Sequence, residues 1–386
     1  MLNQTFKMYN RRPLRVAFIG GGINSAVGRS HFSALQMDGL YKLVAGCFSR
    51  NPKINLESGK AYKVRKARIY DNIESLIKNE KENIDAIIIL TPTTFHVEPV
   101  IAALEAHIPV ICEKALATNL EEIRKIYYTE VKNKGFLVVT YNYTGYPALR
   151  ELRKLIKSGN LGRILHFVAE MPQEGFIRCG LDGKPIKPQE WRLKDGKVPT
   201  VYLDLGVHLH QIVHYLIGAK PRQVIAFHNS YGNFPEVIDF VSASVEFEGN
   251  IHGNFYFGKS MLGYRNGLRF RIFGSEASVE WEQVHPEEIR VAYANGQIEI
   301  LDRGSNKVLI CNQLRYSRFK AGHPAGYIEA FANIYADIYE TLLGFLNSGN
   351  WTSDEIFGSA LAQEGMNLLE AMALSAKTRS IIRLED

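Results

Sequence analysis

The stretch LRVAFIGGG, residues Leu14–Gly22, combines an apolar run of strand length with a turn of three glycines. Gly20 allows a tight turn off the strand, and Gly22 allows close approach of a pyrophosphate. The free N–H groups and positive dipole end of a following helix would stabilise that phosphate. This order of features predicts the first βαβ unit of a dinucleotide-binding domain.

The glycine spacing departs from the usual G-x-G-x-x-G pattern, because Ser25 stands three residues after Gly22 and the next glycine is Gly28. A glycine-rich turn can also join a strand to a helix without binding anything. A helix predicted over 28–37 and a second apolar run over 41–48 favour the binding interpretation. Strand, turn, helix and strand fit within about 35 residues, as a βαβ unit requires.

In a dinucleotide-binding domain, the residues at the end of the second strand contact the ribose and determine whether NAD or NADP is preferred. An acid there accepts hydrogen bonds from both hydroxyls of NAD, whereas a cation suits the 2′-phosphate of NADP. Ser49 and Arg50 stand at this position, and a guanidinium binds phosphate through charge-assisted, bidentate bonds. The sequence therefore favours NADP over NAD. The alternative is that Arg50 stacks on the adenine or lies in solvent.

Composition and charge limit the class of protein. The 386 residues suffice for two domains, and 46% hydrophobic with 22% charged residues is ordinary for a globular protein. The net charge of +6 suits an anionic ligand, but Lys and Arg are scattered, so we expect no nucleic-acid partner. Four widely spaced cysteines indicate reduced thiols. Residues 1–13 lack a signal-peptide core and no long apolar run follows, so we expect a cytoplasmic protein without a membrane partner.

Strands and helices alternate as far as residue 140. After the first unit, apolar periodicity predicts strands over 84–90, 108–112 and 136–140 and helices over 95–107 and 119–134. The alternation predicts an α/β Rossmann domain with a doubly wound parallel sheet over residues 1–145. Residues at the strand ends should line its crevice.

The pattern changes past residue 145. A helix over 147–158 precedes many short strand-like segments. The predicted strands are 163–171, 222–230, 236–248, 251–258, 268–273, 277–282 and 289–301, with helices over 203–217, 323–348 and 353–376. Residues 146–386 should form an α+β domain with a large, mostly antiparallel open sheet.

Several motifs follow one another along the chain. They are the turn and helix over Gly20–His31, Thr91-Pro92 with His96, Glu113-Lys114, Tyr141-Asn142-Tyr143, Asp204-x-Gly206-x-His208 and RFKAGHPAGYIEAF at Arg318–Phe331. With them the chain resembles, over essentially its whole length, the glucose-fructose oxidoreductase, inositol dehydrogenase and rhizopine-catabolism (Gfo/Idh/MocA) oxidoreductases. The resemblance implies an NAD(P)-dependent dehydrogenase acting on CH–OH groups of a sugar, cyclitol or sugar derivative.

The resemblance assigns the catalytic roles to Lys114, Asp204 and His208. Oxidising a secondary alcohol removes a hydride from carbon and a proton from oxygen, so a base with a tunable pKa must reach that oxygen. His208 suits this role, and Asp204, four residues earlier, could orient its imidazole. The Lys114 cation would stabilise a developing alkoxide. Without the resemblance, Asp204 and His208 would be read as an ordinary polar pair on a surface helix.

Helical spacing divides the predicted helix over 203–217 into two stripes. Asp204, His208 and Gln211 form a polar stripe that we expect to face a cleft, beside an apolar stripe that packs. His210 and His214 are also four residues apart, but a third metal ligand is not evident, so we expect structural roles and no metal.

The motifs give a full set of expected site residues. The expected cofactor-binding residues are Gly20, Gly22, Ile23, Asn24, Gly28, Ser49, Arg50, Thr91, Pro92, His96, Glu113 and Lys114. The expected substrate-binding residues are Lys114, Tyr143, Trp191, Arg192, Asp204 and His208, with His96 also contributing to the pocket. Trp191 could instead anchor the long loop over 175–199 on the sheet.

Two residues depart from the family pattern. Ala115 stands where a proline usually follows the lysine, and Gln211 stands where an acid is common. A non-catalytic dinucleotide-binding regulator of the same fold is the main alternative. A third possibility is cofactor-assisted glycoside cleavage with transient oxidation of the substrate, which would use Lys114, Asp204 and His208 as well. The family resemblance further implies a homodimer or homotetramer formed through the open sheet, where the aromatics over 255–257 could lie, unless they belong to the core.

Overall fold

A five-stranded parallel sheet organises the N-terminal part of the chain in the computed structural model, which describes residues 12–384. Its elements are β1 (Leu14–Gly20), α1 (Ala26–Met37), β2 (Tyr41–Cys47), α2 (Pro52–Ala61), α3 (Ile73–Glu80), β3 (Ala86–Leu90), α4 (Val97–Glu105), β4 (Val110–Cys112), α5 (Leu120–Lys132) and β5 (Leu137–Val139). The strand order β2-β1-β3-β4-β5 confirms the predicted Rossmann arrangement. Residues 1–11, on which the expectation about a signal peptide largely rests, lie outside the described residues.

Local sequence signals explain where these elements begin. Ser25 caps α1, and its hydroxyl accepts a hydrogen bond from the Gly28 N–H at 3.1 Å. Asn51, Asn72 and Asn119 cap α2, α3 and α5 in the same way. All five residues of β3, AIIIL, are buried, as expected for a parallel strand covered by helices on both faces.

A nine-stranded sheet organises most of the remaining chain. The further elements are α6 (Pro147–Lys157), β6 (Ile164–Pro172), α7 (Val207–Ile217), β7 (Pro221–Asn229), β8 (Phe240–Phe247), β9 (Ile251–Gly258), β10 (Arg269–Gly274), β11 (Ala277–Glu282), β12 (Ile289–Tyr293), β13 (Ile298–Leu301), α8 (Tyr327–Ser348), α9 (Ser359–Thr378) and β14 (Ile382–Arg383). The order is β13-β12-β11-β10-β6-β9-β8-β7-β14. Among the described strands of this sheet, β6 and β9 form the one parallel pair, so the mostly antiparallel sheet is confirmed.

The chain divides into two compact units that differ from the predicted domains 1–145 and 146–386. The first unit runs to Gly145 and includes Tyr327–Gln363, while the second comprises Tyr146–Gly326 and the residues from Glu364 on. The difference has a physical cause, because Phe331, Tyr335 and other apolar residues of α8 complete the core around β1 and β3. Helical periodicity shows which face of α8 is apolar, but not which core it joins.

Smaller differences arise where turns interrupt the periodic pattern. The predicted strand 289–301 is split into β12 and β13 by a turn in which the Tyr293 N–H donates to the Gln297 carbonyl. Phe255 and Phe257 of β9 are buried, so these two aromatics belong to the core and leave Tyr256 on the opposite face. Of the helices within residues 12–384, none has the length and apolar character needed to cross a membrane.

Candidate active site

The glycine turn after β1 has no room for side chains at three positions. Gly20 and Gly21 have φ values of +78° and +68°. A Cβ on Gly20 would lie 2.7 Å from the Thr91 amide nitrogen, and one on Gly28 would lie 2.1 Å from the Gly21 carbonyl oxygen. Gly28 therefore permits the close packing of α1 on the turn, despite its unusual spacing. A backbone cradle of this kind fits the pyrophosphate of a dinucleotide.

Hydrogen bonds fix the rest of this turn. The Ile23 N–H donates to Ser58 Oγ at 2.9 Å, and the Ser25 N–H donates to the Gly22 carbonyl at 2.7 Å. Asn24 is exposed, whereas Gly22 is buried. A Cβ on Gly22 would lie 3.1 Å from the Phe48 carbonyl oxygen. The predicted cofactor-binding residues of the turn thus share one ordered loop.

Arg50 follows β2 as predicted. Its guanidinium lies 4.3 Å from the centroid of the Phe95 ring, a cation–π contact. Phe95 belongs to the turn after β3, and both strands flank β1, so the pair lies at the carboxyl edge of the sheet. Ser49 Oγ accepts a hydrogen bond from the Asn51 N–H at 3.1 Å. The exposed guanidinium is therefore held at the edge where the ribose of a dinucleotide is selected.

Glu113 takes part in a buried chain of hydrogen bonds at the end of β4. Its carboxylate lies 2.9 Å from His31 Nε2 and accepts a hydrogen bond from Thr140 Oγ1 at 2.5 Å. His31 Nδ1 lies 2.6 Å from the hydroxyl of Tyr335 on α8. Burial opposes ionisation of Glu113, but the bonds from His31 and Thr140 and the charge of Lys114 hold its pKa below the ordinary value. The carboxylate predicted to bind the cofactor is thus engaged inside the unit.

His96 is also buried, although the sequence places it among the cofactor and substrate residues. Its Nδ1 lies 2.8 Å from the Ala115 carbonyl oxygen, and its Nε2 lies 2.8 Å from the Thr91 carbonyl oxygen. Burial lowers the pKa of His96, while the two carbonyls favour its charged form. A neutral imidazole donates to one of them and an imidazolium to both. The ring therefore joins the turns that follow β3 and β4.

The remaining predicted residues of the first unit lie along the same strand ends. Lys114 is half-buried, and the Lys114–Ala115 peptide bond is cis at the position where the family usually has proline. Pro92 is exposed, and Thr91 Oγ1 donates to the Phe95 carbonyl at 3.0 Å. Tyr143 is buried with its ring 6.4 Å from that of Tyr327.

Asp204 and His208 lie at a helix start in the second unit. Asp204 belongs to a π-helical turn, Tyr202–Gly206, that continues into α7, where His208 lies. Both side chains and that of Gln211 are buried, so the stripe does not lie on an open surface, and its position facing a cleft stays a prediction. The turn also packs closely at Gly206, where a Cβ would lie 2.8 Å from Leu369 Cδ2.

Two cations flank the Asp204 carboxylate. Lys259 Nζ lies 2.9 Å from Asp204 Oδ2, and Arg192 Nε lies 3.1 Å from the same oxygen. The Arg192 guanidinium also stacks on the indole of Trp191, 4.4 Å from its centroid. Lys259 belongs to no recognisable sequence motif, since it is a single lysine after β9. If Asp204 orients His208, it does so while paired with Lys259 and Arg192.

Polar side chains from neighbouring strand ends meet at one edge of the nine-stranded sheet. Gln173 follows β6, Lys259 follows β9, Asn266 precedes β10 and Gln283 follows β11, and the strand directions bring these ends together. Lys259 Nζ donates to Gln173 Oε1 at 2.9 Å, and Gln173 Nε2 donates to Asn266 Oδ1 at 2.9 Å. The Asn266 amide in turn contacts Gln283. We call Gln173, Asn266 and Gln283 the amide row. The sequence did not predict it, because its members are scattered along the chain.

His210 and His214 share an acid in the second unit. His210 Nε2 and His214 Nδ1 lie 3.0 and 3.2 Å from Glu364 Oε1. Burial opposes ionisation of Glu364, but these two contacts hold its pKa well below the ordinary range. Within residues 12–384, no group of three or more His, Cys, Asp and Glu side chains is arranged to hold a metal ion.

The parallel sheet with its glycine turn and the large, mostly antiparallel sheet are the fold of a two-unit, dinucleotide-binding oxidoreductase. Residues 14–141 match the family model described as oxidoreductase family, NAD-binding Rossmann fold, and residues 149–280 match the GFO/IDH/MocA C-terminal domain. The chain belongs to the Gfo/Idh/MocA family, as its motifs predict.

Individual relatives agree with this assignment. The Bacillus subtilis protein named uncharacterized oxidoreductase YfiI is 30% identical over 333 residues, 84% of each chain. A levoglucosan dehydrogenase of Pseudarthrobacter phenanthrenivorans is 26% identical over 321 residues, which are 74% of this chain and 78% of its own. An inositol dehydrogenase homologue of Azotobacter vinelandii, solved with NADH and myo-inositol, is 27% identical with a TM-score of 0.87. The match covers 97% of this chain and 98% of that chain.

Proposed function

We propose that the protein transfers a hydride between a nicotinamide dinucleotide and a secondary hydroxyl or ketone of a sugar, cyclitol or sugar derivative. The observation that carries the proposal is the buried pair of Asp204 and His208, with the acid flanked by Lys259 and Arg192. A protein that only senses a dinucleotide needs no buried acid and histidine of this kind. The names of the levoglucosan and inositol relatives support the substrate class.

Each catalytic side chain has a role that follows from its chemistry. When bound on the glycine turn, the dinucleotide supplies the hydride acceptor or donor. His208 accepts the hydroxyl proton on a ring nitrogen during oxidation and returns it during reduction. The Lys114 ammonium stabilises negative charge on the reacting oxygen. Asp204, paired with Lys259 and Arg192, fixes the polar surroundings of the His208 segment.

The amide row supports a polyhydroxylated substrate. Each amide offers both donors and an acceptor, which is the combination that neighbouring hydroxyl groups require. In the structure these groups satisfy one another through Gln173 and Asn266. A ring with several hydroxyls would exchange these bonds for its own at little net cost.

We further propose NADP as the preferred dinucleotide, although the inositol dehydrogenase homologue was solved with NADH. Arg50, placed beside Phe95 at the strand edge, supports this preference because a guanidinium binds a 2′-phosphate well. No acid takes the place that would bind both ribose hydroxyls, since β2 is followed by Phe48, Ser49 and Arg50.

A cytoplasmic homodimer or homotetramer is our proposal for the assembly. The register of the large sheet places Ile225, Phe227 and Tyr256 on the face opposite the buried core, together with Ile298 and Ile300. An apolar face of this kind suits association with a second copy. Cys47, Cys112, Cys179 and Cys311 are free thiols, in keeping with a reducing compartment.

The proposed function is tested by binding and turnover in sequence. Calorimetry with NADP⁺, NAD⁺ and their reduced forms measures cofactor binding. A panel containing myo-inositol, levoglucosan and simple glucosides is then followed at the nicotinamide absorbance band, with wild type and His208→Ala. Turnover that His208→Ala abolishes supports the dehydrogenase. Binding without turnover on any ring would favour the regulator, and no binding would overturn both.

A further inference from the structure

Both residues adjacent to Lys114 are attached to buried histidines. The preceding residue, Glu113, contacts His31 Nε2 through its carboxylate at 2.9 Å. The carbonyl oxygen of the following residue, Ala115, lies 2.8 Å from His96 Nδ1. His31 and His96 are 0% and 1% exposed, so neither ring can reach solvent in this arrangement.

Each histidine is in turn fixed at its second nitrogen. His31 Nδ1 lies 2.6 Å from the Tyr335 hydroxyl, and its ring makes an edge contact with Phe331 at 4.7 Å between centroids. His96 Nε2 lies 2.8 Å from the Thr91 carbonyl oxygen. The two contacts on Lys114's neighbours therefore originate from separate elements, α1 with α8 on one side and the turn after β3 on the other.

We propose that His31 and His96 are positioning residues for Lys114. They fix the residues before and after the lysine. The Lys114 backbone therefore keeps one orientation, and its ammonium group keeps one position. A misplacement of about 1 Å in such a group can cost a hundredfold in rate, because the stabilisation must act on the reacting oxygen in the transition state. The inference deepens the proposed function and rests on the role given there to Lys114.

The test compares variants that differ in which hydrogen bond they retain. His31→Phe keeps an aromatic ring against Phe331 but loses the contacts with Glu113 and Tyr335, and His96→Leu loses both carbonyl contacts. His31→Gln and His96→Asn restore an amide donor near the lost Nε2 and Nδ1, respectively. Tyr41→Phe is the matched control, since it removes a buried hydrogen bond from the Tyr41 hydroxyl to the Tyr335 carbonyl without touching either neighbour of Lys114.

Turnover with the best ring substrate of the panel is measured first. We expect His31→Phe and His96→Leu to lower kcat at least about tenfold with KM changed less than about threefold. The amide variants should recover part of the loss, and Tyr41→Phe should behave as wild type. In a Lys114→Ala background the histidine substitutions should cause no further loss, because they act through the missing side chain.

A second readout does not depend on turnover. Lysines are methylated with ¹³C-formaldehyde, and the Lys114 methyl signal is assigned by its absence in Lys114→Arg. The signal should shift or broaden in His31→Phe and His96→Leu, but not in Tyr41→Phe. Cofactor calorimetry and thermal unfolding report whether each variant is folded.

The outcomes separate the two claims. Losses that add to that of Lys114→Ala, or an unchanged methyl signal, would overturn the positioning role while leaving the proposed function intact. Full activity in Lys114→Ala would overturn the catalytic role of the lysine, and the methyl signal would then decide the positioning role alone.

Discussion

Lys259 Nζ lies 2.9 Å from Asp204 Oδ2, and the two side chains are only 9% and 8% exposed. An ion pair buried to this extent is costly to break, because the remaining charge keeps its desolvation penalty without its partner. The pair joins the end of β9 to the helix start that carries the predicted catalytic histidine. Its integrity should therefore matter for both folding and catalysis.

Lys259→Met is expected to lower the free energy of unfolding by about 3 kcal/mol. We also expect kcat/KM to fall about tenfold, with Lys259→Arg retaining most of it. The matched control is Lys197→Met, because Lys197 pairs with Glu370 at the surface, with 66% of its side chain exposed. An exposed pair of this kind contributes about 1 kcal/mol at most. Equal losses in both methionine variants, measured by chemical denaturation and initial rates, would contradict the buried role.

Arg50→Asp is expected to reverse the preference between dinucleotides. The substitution replaces the guanidinium with an acid that accepts bonds from ribose hydroxyls and repels a 2′-phosphate. Calorimetry should show NADP⁺ affinity reduced at least about tenfold, with NAD⁺ binding equal or tighter. Lys53→Asp changes the net charge equally on the exposed first turn of α2 and should leave the ratio unchanged. An Arg50→Asp protein with the wild-type ratio would assign Arg50 a role other than phosphate binding.

The sequence was most informative where one local signal fixes a structure. Alternating apolar runs predicted β1 to β5 because a parallel sheet buries both faces of its strands, and the glycines after β1 predicted the turn. Long-range pairing left no such signal. Glu113 and His96 belong to recognisable motifs, yet only the folded chain shows that their side chains contact His31 and the backbone. For the same reason, the sequence predicted neither the contact of Lys259 with Asp204 nor the packing of α8 on the core around β1 and β3.

Gly28→Ala should abolish dinucleotide binding. The added Cβ would lie 2.1 Å from the Gly21 carbonyl oxygen, so α1 or the turn must move away from the pyrophosphate position. Gly344→Ala is the control in the same unit, since a Cβ there would have nothing within 4 Å and lies in an exposed part of α8. That substitution should stabilise the helix by about 1 kcal/mol and leave binding unchanged. Intact NADP⁺ binding in Gly28→Ala would show that the turn is not the pyrophosphate site.

Phe227→Glu should convert the assembly to monomers if the open face of the large sheet is the interface. Phe227 is 54% exposed on the face opposite the core of the second unit, and a buried charge would make association unfavourable. Tyr128→Glu alters an aromatic residue on α5 that is 68% exposed, and should have no effect on mass. Sedimentation velocity measures the outcome. A wild-type monomer, or an oligomer unaffected by Phe227→Glu, would rule out this interface.

Glu130 should make stability fall as the pH rises from about 4.5 to about 7. Burial raises its pKa from 4.5 to about 7, partly offset by its hydrogen bond with Ser359. Between these values the folded protein binds more protons than the unfolded chain, so the free energy of unfolding decreases with pH by about 3 kcal/mol and is constant above. Glu130→Gln keeps the shape and removes the titration. At pH 8 the variant should therefore be more stable than wild type, with no advantage below pH 4, as thermal unfolding across this range would show. Parallel pH profiles for the two proteins would mean that Glu130 is ionised in the folded state with an ordinary pKa.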